Sequence, residues 1–246
     1  MDFIVAMKAV ILCAGYGTRL GQHTKKAPKP MLLVNGKPIL EHIIRNLTRS
    51  GFNELAVNLY YKPEAIQEYF GSGEEYGVKL TYFNETALLG TAGGVKNMEP
   101  FLSEDTSFLV HYGDIVTDQL FGGMLEAHEN NAALATILLH KRAHSNSVVS
   151  LDETFRVTEF LERPKNTKDV STSESWVNSG IYIFNKGILG HIPNGCSCDF
   201  PRDIFPALVK EGNIYGFPVT GYRCAIDSPE RLKEAESALA EGECMI

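Results

Sequence analysis

Several features are scarce in this chain of 246 residues, and each scarcity closes off a class of protein. No apolar run approaches the roughly 18 residues that a bilayer crossing needs, and Met1 to Lys8 lack the apolar core and cleavage site of a secretory leader. A cytoplasmic protein with no membrane partner is therefore expected. The 5 cysteines, Cys13, Cys196, Cys198, Cys224 and Cys244, are odd in number and scattered, so they make no disulfide framework. Cys196 and Cys198 are also closer in sequence than the pairs that zinc sites use. The 7 histidines form no His-x-x-x-His pair on a helical segment. His42, His111 and His140 lie in apolar or amphipathic stretches, where a hydrogen-bonded structural histidine is expected. With 23 basic against 30 acidic residues the net charge is −7, and no basic stripe is present to displace counterions from nucleic acid. Nothing in the pattern suggests a Ser-His-Asp or Cys-His nucleophile.

What is present is a large apolar complement, 44% of residues, enough to bury the core of one α/β domain. Through the first 140 residues strand-like runs alternate with helical periodicity, as in a wound parallel sheet with helices on both faces. Ala9 to Cys13 reads as a buried first strand. Ile39, Ile43, Ile44 and Leu47 fall on one face of a helix that ends at Gly51. Leu55 to Leu59 reads as the next strand, Pro63 opens a helix through Phe70, and Val78 to Phe83 alternates as a strand ahead of a Gly90-Thr91-Ala92-Gly93-Gly94 loop. Ser107 to Tyr112 is a buried strand that runs into Gly113-Asp114, and an aspartate beyond the carboxyl end of a parallel strand points into a ligand cleft. Ala133 to Leu139, Ser147 to Leu151, Arg156 to Leu161 and Val177 to Phe184 follow as strands, Asn166 to Ser175 as a polar loop, and Pro229 to Ala240 as a closing helix.

The most informative stretch is Leu12-Cys13-Ala14-Gly15-Tyr16-Gly17-Thr18-Arg19-Leu20, followed by Pro28-Lys29-Pro30. Small residues after a strand leave backbone N–H groups bare for a phosphate. Arg19 and the proline-clamped Lys29 add fixed positive charge beside them, the first as a bidentate fork and the second as a point charge. Better-known phosphate loops do not fit: a dinucleotide fingerprint needs Gly or Ala where Leu20 stands, and a Walker loop needs Gly-Lys-Ser or Gly-Lys-Thr. For two glycines alone, a tight turn is an equal reading. Asp114 and Asp227, taken singly, read better as turn or helix-cap residues than as metal ligands.

Set together, the glycine loop, Lys29, the Gly90 segment and Gly113-Asp114 make the chain resemble the sugar-1-phosphate nucleotidyltransferases over residues 7 to about 240. Its pattern is most similar to the mannose- and heptose-1-phosphate guanylyltransferases. The resemblance implies a Rossmann-like, mostly parallel sheet flanked by helices, with a nucleotide-binding part over roughly 7–140 and a sugar-binding part over roughly 141–240. It further implies a nucleoside triphosphate and a sugar-1-phosphate as partners, with magnesium as cofactor. Leu12, Ala14, Gly15, Gly17, Thr18, Gly90 and Thr91 would hold the nucleotide, Arg19 the leaving pyrophosphate, and Lys29 the reacting phosphates. Asp114 and Asp227 would bind the metal. Gly93, Glu162, Arg163, Asn178 and Gly180 would face the sugar phosphate. Many relatives carry Glu-Lys-Pro where this chain has Glu162-Arg163-Pro164; Arg163 keeps the charge with a different reach, and Lys165 is near enough in sequence to share the duty. The chain stops soon after Asp227 without a left-handed β-helix, which implies a stand-alone transferase. GTP with a manno-configured sugar is the favoured pair. Uridylyl-, thymidylyl- and cytidylyltransferases, and a non-catalytic regulatory subunit, stay open alternatives, as does assembly into a homo-oligomer.

Overall fold

The computed structural model describes residues 7–143, 147–162 and 174–246. Arg163, Lys165 and most of the expected polar loop at 166–175 lie outside these residues. The chain begins with β1 (Ala9–Leu12), the glycine loop and the short helix α1 (Gln22–Lys26), then a hairpin of β2 (Leu33–Val34) and β3 (Lys37–Pro38). Next come α2 (Ile39–Arg49), β4 (Glu54–Leu59), α3 (Pro63–Phe70), β5 (Lys79–Asn84), α4 (Gly90–Asn97) and β6 (Ser107–Tyr112). β7 (Ile115–Thr117), α5 (Gly122–Asn130), β8 (Ala135–Arg142), β9 (Ser147–Leu151) and β10 (Val157–Glu162) follow. The long β11 (Ser175–Asn185), α6 (Phe205–Glu211), β12 (Ile214–Pro218), β13 (Arg223–Ala225) and α7 (Pro229–Ala240) complete it.

Among the described residues a 9-stranded sheet runs in the order β10-β9-β11-β6-β1-β4-β5, with β8 and then β12 branching from β11. β1 lies parallel to both β4 and β6, and β4 parallel to β5. This is the wound half that the alternating sequence implies. The second half turns antiparallel, because β11 pairs with β6, β8 and β9 in that sense. Period-two alternation divides the core between the sheet's two faces. Ile11, Val57, Leu109 and Ile183 pack on one side with α2, while Val10, Ala56, Val110 and Phe184 pack on the other with α4 and α6. Central strands buried on both faces are mostly apolar, which is why β1 reads as an unbroken hydrophobic run and Phe108 to Val110 of β6 as another.

One expectation fails locally: Gly90 to Gly94 is not a loop but the first turns of α4. Glycine disfavours helix interiors, yet here the segment 196–200 crosses α4 so closely that a Cβ on Gly90 would stand 2.6 Å from the Cys198 carbonyl oxygen. Contact with a distant segment outweighs propensity.

Phe184 joins these layers, its ring centroid 4.7 Å from Phe200, 5.3 Å from Tyr182 and 5.8 Å from Phe108. Phe184→Ala should destabilise the fold by about 3–5 kcal/mol, measured by urea denaturation. A loss below about 1 kcal/mol would show that this aromatic cluster does not bind α6 and the 200–204 turn to the sheet.

Candidate active site

The carboxyl ends of β1, β4, β5 and β6 open on the same edge of the sheet, and each delivers a polar group there. β4 presents Asn58, whose Oδ1 accepts from the Cys13 amide at 2.7 Å and whose Nδ2 donates to Glu85 at 2.6 Å. Glu85, just past β5, also accepts from the Leu89 amide at 3.1 Å. Burial raises the Glu85 pKa, only partly offset by these two hydrogen bonds. β6 ends at Tyr112, and Gly113 then turns the chain so that Asp114 faces the glycine loop. The result is a cleft of about 340 Å³.

Lys29 crosses to this cleft from the turn after α1. Its residue is only 9% exposed, and its Nζ donates to Asp114 Oδ2 at 2.5 Å. The glycine loop lies against the same lysine: Gly17 has φ of 66°, and a Cβ there would press to 2.9 Å from Lys29 Cβ and from Thr24 Cγ2. That close approach, with a left-handed backbone, requires glycine. Arg19 stands at the lip, its Nη1 3.5 Å from Asp227 Oδ2. Asp227 reaches this place because β13 pairs antiparallel with β7, opposing Ala225 to Ile115, and the Ile226 amide then donates to the Asp114 carbonyl at 2.8 Å.

Burial pushes the Asp114 pKa upward, but the charge and hydrogen bond of Lys29, with Arg223 and Arg19 behind them, hold the carboxyl below its usual value. It is an ionised carboxylate at neutral pH. Cys13, the nearby thiol, is pushed far up by its burial and secondarily by the Asp114 charge, so it is no nucleophile. The chemistry available here is electrostatic.

Leu12, Ala14, Gly15, Gly17, Thr18, Arg19, Lys29, Gly90, Thr91 and Asp114 all line this one cleft. Asp227 stands at its lip beside Arg19, Arg163 lies outside the described residues, and Gly93, Glu162, Asn178 and Gly180 are not among the cleft's lining residues. Gly93 spends its amide on the Cys198 carbonyl at 3.1 Å and lines a separate cavity with Lys96 and Cys196. Asn178 is engaged internally, accepting from the Gly180 amide at 2.9 Å and donating to the Tyr182 hydroxyl at 2.8 Å. Tyr182 passes that contact to Tyr112 at 3.1 Å, so Asn178 reaches the cleft wall through a tyrosine relay, while Gly180 packs directly against the Tyr112 ring. Glu162 accepts from Ser147 at 2.6 Å on β10. Sequence reasoning missed Asn58, Glu85, Tyr112 and Asp199 as cleft residues. A polar Asn58 inside an apolar strand was a usable signal. Asp199 gave none, since its partners, the amide and hydroxyl of Thr91 at 3.0 and 3.2 Å, lie in a distant part of the chain.

Among the described residues no cluster of three or more His, Cys, Asp or Glu is built to enclose a metal. Asp114 nevertheless suits a hard divalent cation. Its charge is formed, its oxygen faces the cleft, and magnesium commonly takes one or two carboxylates and completes its shell with phosphate oxygens and water.

A cleft of bare amides with two cations and an ionised carboxylate is a site for binding phosphate esters. The chain belongs to the nucleotidyl transferase family, whose pattern it matches over residues 8–223. It is 33% identical over 238 residues to a mannose-1-phosphate guanylyltransferase of Mycobacterium tuberculosis, an overlap of 95% of this chain and 65% of that one. It is 34% identical over 222 residues to the UTP–glucose-1-phosphate uridylyltransferase of Synechocystis sp., covering 84% of this chain and 56% of the relative. The chain thus spans less than two thirds of the length of either. In three dimensions it is similar to HddC from Yersinia pseudotuberculosis, with a TM-score of 0.81 at 25% identity, covering 95% of this chain and 99% of that one.

Lys29→Met isolates the central ion pair. A depressed carboxylate contributes stability above its unfolded pKa and loses it as pH falls through the folded value. The variant should therefore be destabilised at neutral pH, with the difference from wild type shrinking below about pH 4 as Asp114 takes up a proton. Urea denaturation across that range checks it; a difference independent of pH would mean that the pair carries no stability.

Proposed function

We propose that this chain transfers a nucleotidyl group from a nucleoside triphosphate to a sugar-1-phosphate, releasing pyrophosphate, and that GTP with a manno-configured sugar phosphate is its substrate pair. The observation that carries the reading is the Lys29–Asp114 pair at 2.5 Å, seated against the glycine loop. In the reaction an oxygen of the sugar phosphate attacks the α-phosphorus in line. A new P–O bond forms, the bond to the bridging oxygen breaks, and its electron pair leaves with pyrophosphate. Two anions must approach, so positioning and charge neutralisation carry the catalysis.

The residues take roles by position. The amides of Gly15, Gly17 and Thr18 cradle the triphosphate, Arg19 grips the departing pyrophosphate, and Lys29 neutralises the phosphates between which charge moves. Asp114 and Asp227 are the residues that would hold magnesium, which when bound supplies further charge neutralisation on the phosphate oxygens. Gly90 and Thr91 border the base. The part of the chain that follows β7, with Glu162, Arg163, Asn178, Gly180 and Gly93, serves the sugar phosphate, Asn178 acting through the tyrosine relay.

Guanine is favoured by Glu85. A carboxylate only accepts hydrogen bonds, and the edge of guanine offers two adjacent donors, N1–H and N2–H. Uracil and thymine present one donor between two acceptors. The Mycobacterium tuberculosis relative is a mannose-1-phosphate guanylyltransferase, and HddC is known complexed with GMP-PN; both support the same choice. The uridylyltransferase relative keeps UTP with glucose-1-phosphate as the second pair to try.

Purified protein with each nucleoside triphosphate and a panel of sugar-1-phosphates should release pyrophosphate in a magnesium-dependent way, fastest with GTP and mannose-1-phosphate. Asp114→Asn should abolish release with the fold intact, and Lys29→Ala should lower kcat by about 10²–10³-fold with little change in the sugar-phosphate KM. Absence of release with every pair would leave a binding protein on the same fold.

A further inference from the structure

Among the described residues that line the cleft, every one but Asp199 lies at or before Asp114 in the chain. Asp199 comes from the part after β7, and it has no place in the roles above. The turn 200–204 carries it. Phe200 of that turn packs 5.8 Å from Tyr182 of β11 and stacks 5.7 Å from Phe205, and Phe205 meets Phe160 of β10 at 5.1 Å. The segment therefore stands on the antiparallel half of the sheet and reaches over to the cleft of the parallel half.

The Asp199 carboxylate is held in one orientation. Its Oδ1 accepts from the amide and the hydroxyl of Thr91 at 3.0 and 3.2 Å, and the Thr91 hydroxyl accepts in turn from the Phe200 amide at 2.9 Å. Its Oδ2 pairs with Arg202, a side chain 63% exposed, whereas that of Asp199 is 21% exposed. An ion pair with so exposed a partner holds weakly. A carboxylate offers about four acceptor positions, and these contacts leave one over. Burial pushes the Asp199 pKa up, but the Thr91 amide and Arg202 hold it below its usual value, so the group is ionised at neutral pH.

We infer that Asp199 accepts a hydrogen bond from a ring hydroxyl of the acceptor sugar and so helps to decide which sugar-1-phosphate is used. This rests on the reading of the chain as a sugar-1-phosphate nucleotidyltransferase. A carboxylate repels phosphate, so Asp199 serves neither the triphosphate nor the acceptor's phosphate. What it takes is a hydroxyl or an N–H. The N–H donors of guanine are matched by Glu85, which leaves the hydroxyls of the two sugars, the nucleotide's ribose and the acceptor. Origin separates them. The parallel half supplies the rest of the cleft and holds the nucleotide, and Asp199 brings to that cleft a group from the half that serves the acceptor. Because Thr91 fixes Oδ1, the carboxylate cannot follow a hydroxyl to another position on the ring. A site built to hydrogen-bond a hydroxyl rejects the analogue that lacks it.

The test compares wild type with Asp199→Asn, using the substrate pair that wild type turns over fastest and the deoxy analogues of that sugar-1-phosphate, each lacking one ring hydroxyl. Asparagine keeps an oxygen for the Thr91 amide, so the cap on α4 persists while the acceptor at Oδ2 is lost. The variant should raise the sugar-1-phosphate KM about 10- to 100-fold, with the KM of the nucleoside triphosphate within about twofold of wild type. One deoxy analogue should lose a similar factor with wild type and little more with the variant, a coupling that a helix cap by itself does not produce. If the asparagine variant does not fold, Asp199→Ser, whose hydroxyl also suits a helix cap, carries the same comparison. A rise confined to the nucleotide KM, losses that are the same in both proteins for every analogue, or a wild type indifferent to every hydroxyl overturns the inference. Failure of wild type to release pyrophosphate with any pair would instead strike the functional reading. Calorimetric titration of mannose-1-phosphate would then still judge Asp199: weaker binding by the variant supports the inference, and equal binding, or none by wild type, overturns it.

Discussion

The contact between Lys29 and Asp114 governs the rest of the site. It joins the turn after the glycine loop to the end of β6, and it does so at the one edge of the sheet where four parallel strands finish. A buried lysine beside an ionised carboxylate is tolerable because each satisfies the other. In the proposed reaction that satisfaction is temporary, since an arriving anion would compete for the lysine and an arriving cation for the carboxylate. The pair therefore keeps two mutually compensated charges in place in the cleft, where the proposed reaction would have substrates replace them.

Around that pair the polar groups of the cleft divide by origin. Bare amides, Arg19 and Lys29 come from residues close together in sequence, so they form a unit that needs little of the remaining chain. The opposing side depends on a long-range contact. Asp199 reaches from the segment before α6 to cap the first turn of α4 through Thr91. This bridge ties the antiparallel half of the sheet to the cleft of the parallel half.

How much of this was readable in the sequence follows the same division. The alternation of apolar runs and helical periods gave β1, α2, α3, β6 and α7 to within a residue or two, because each is stabilised by a pattern contained in its own segment. The Gly-Tyr-Gly loop, Arg19, Lys29 and Asp114 were readable because their chemistry sits in short motifs. Gly90 to Gly94 was misread as a loop, since the reason for glycine there is the crossing of residues 196–200, which no local pattern encodes. Asn178 was read as facing the sugar phosphate; the bonds its side chain makes to Gly180 and Tyr182 were not visible in the sequence. Glu85 and Asp199 passed unnoticed for the same reason: each acts through partners set by the tertiary fold. The antiparallel turn of the second half was likewise hidden, because a strand's sequence does not declare the direction of its neighbour.

The central claim is that the Lys29–Asp114 pair marks the place where the reacting phosphates sit. A crystal structure with magnesium and a non-hydrolysable GTP analogue tests it most directly. Lys29 Nζ should have left Asp114 for the oxygens of the α-phosphate, with the analogue's phosphates on the glycine loop and Asp114 turned to the metal. Phosphates bound elsewhere, with Lys29 still on Asp114, would contradict it.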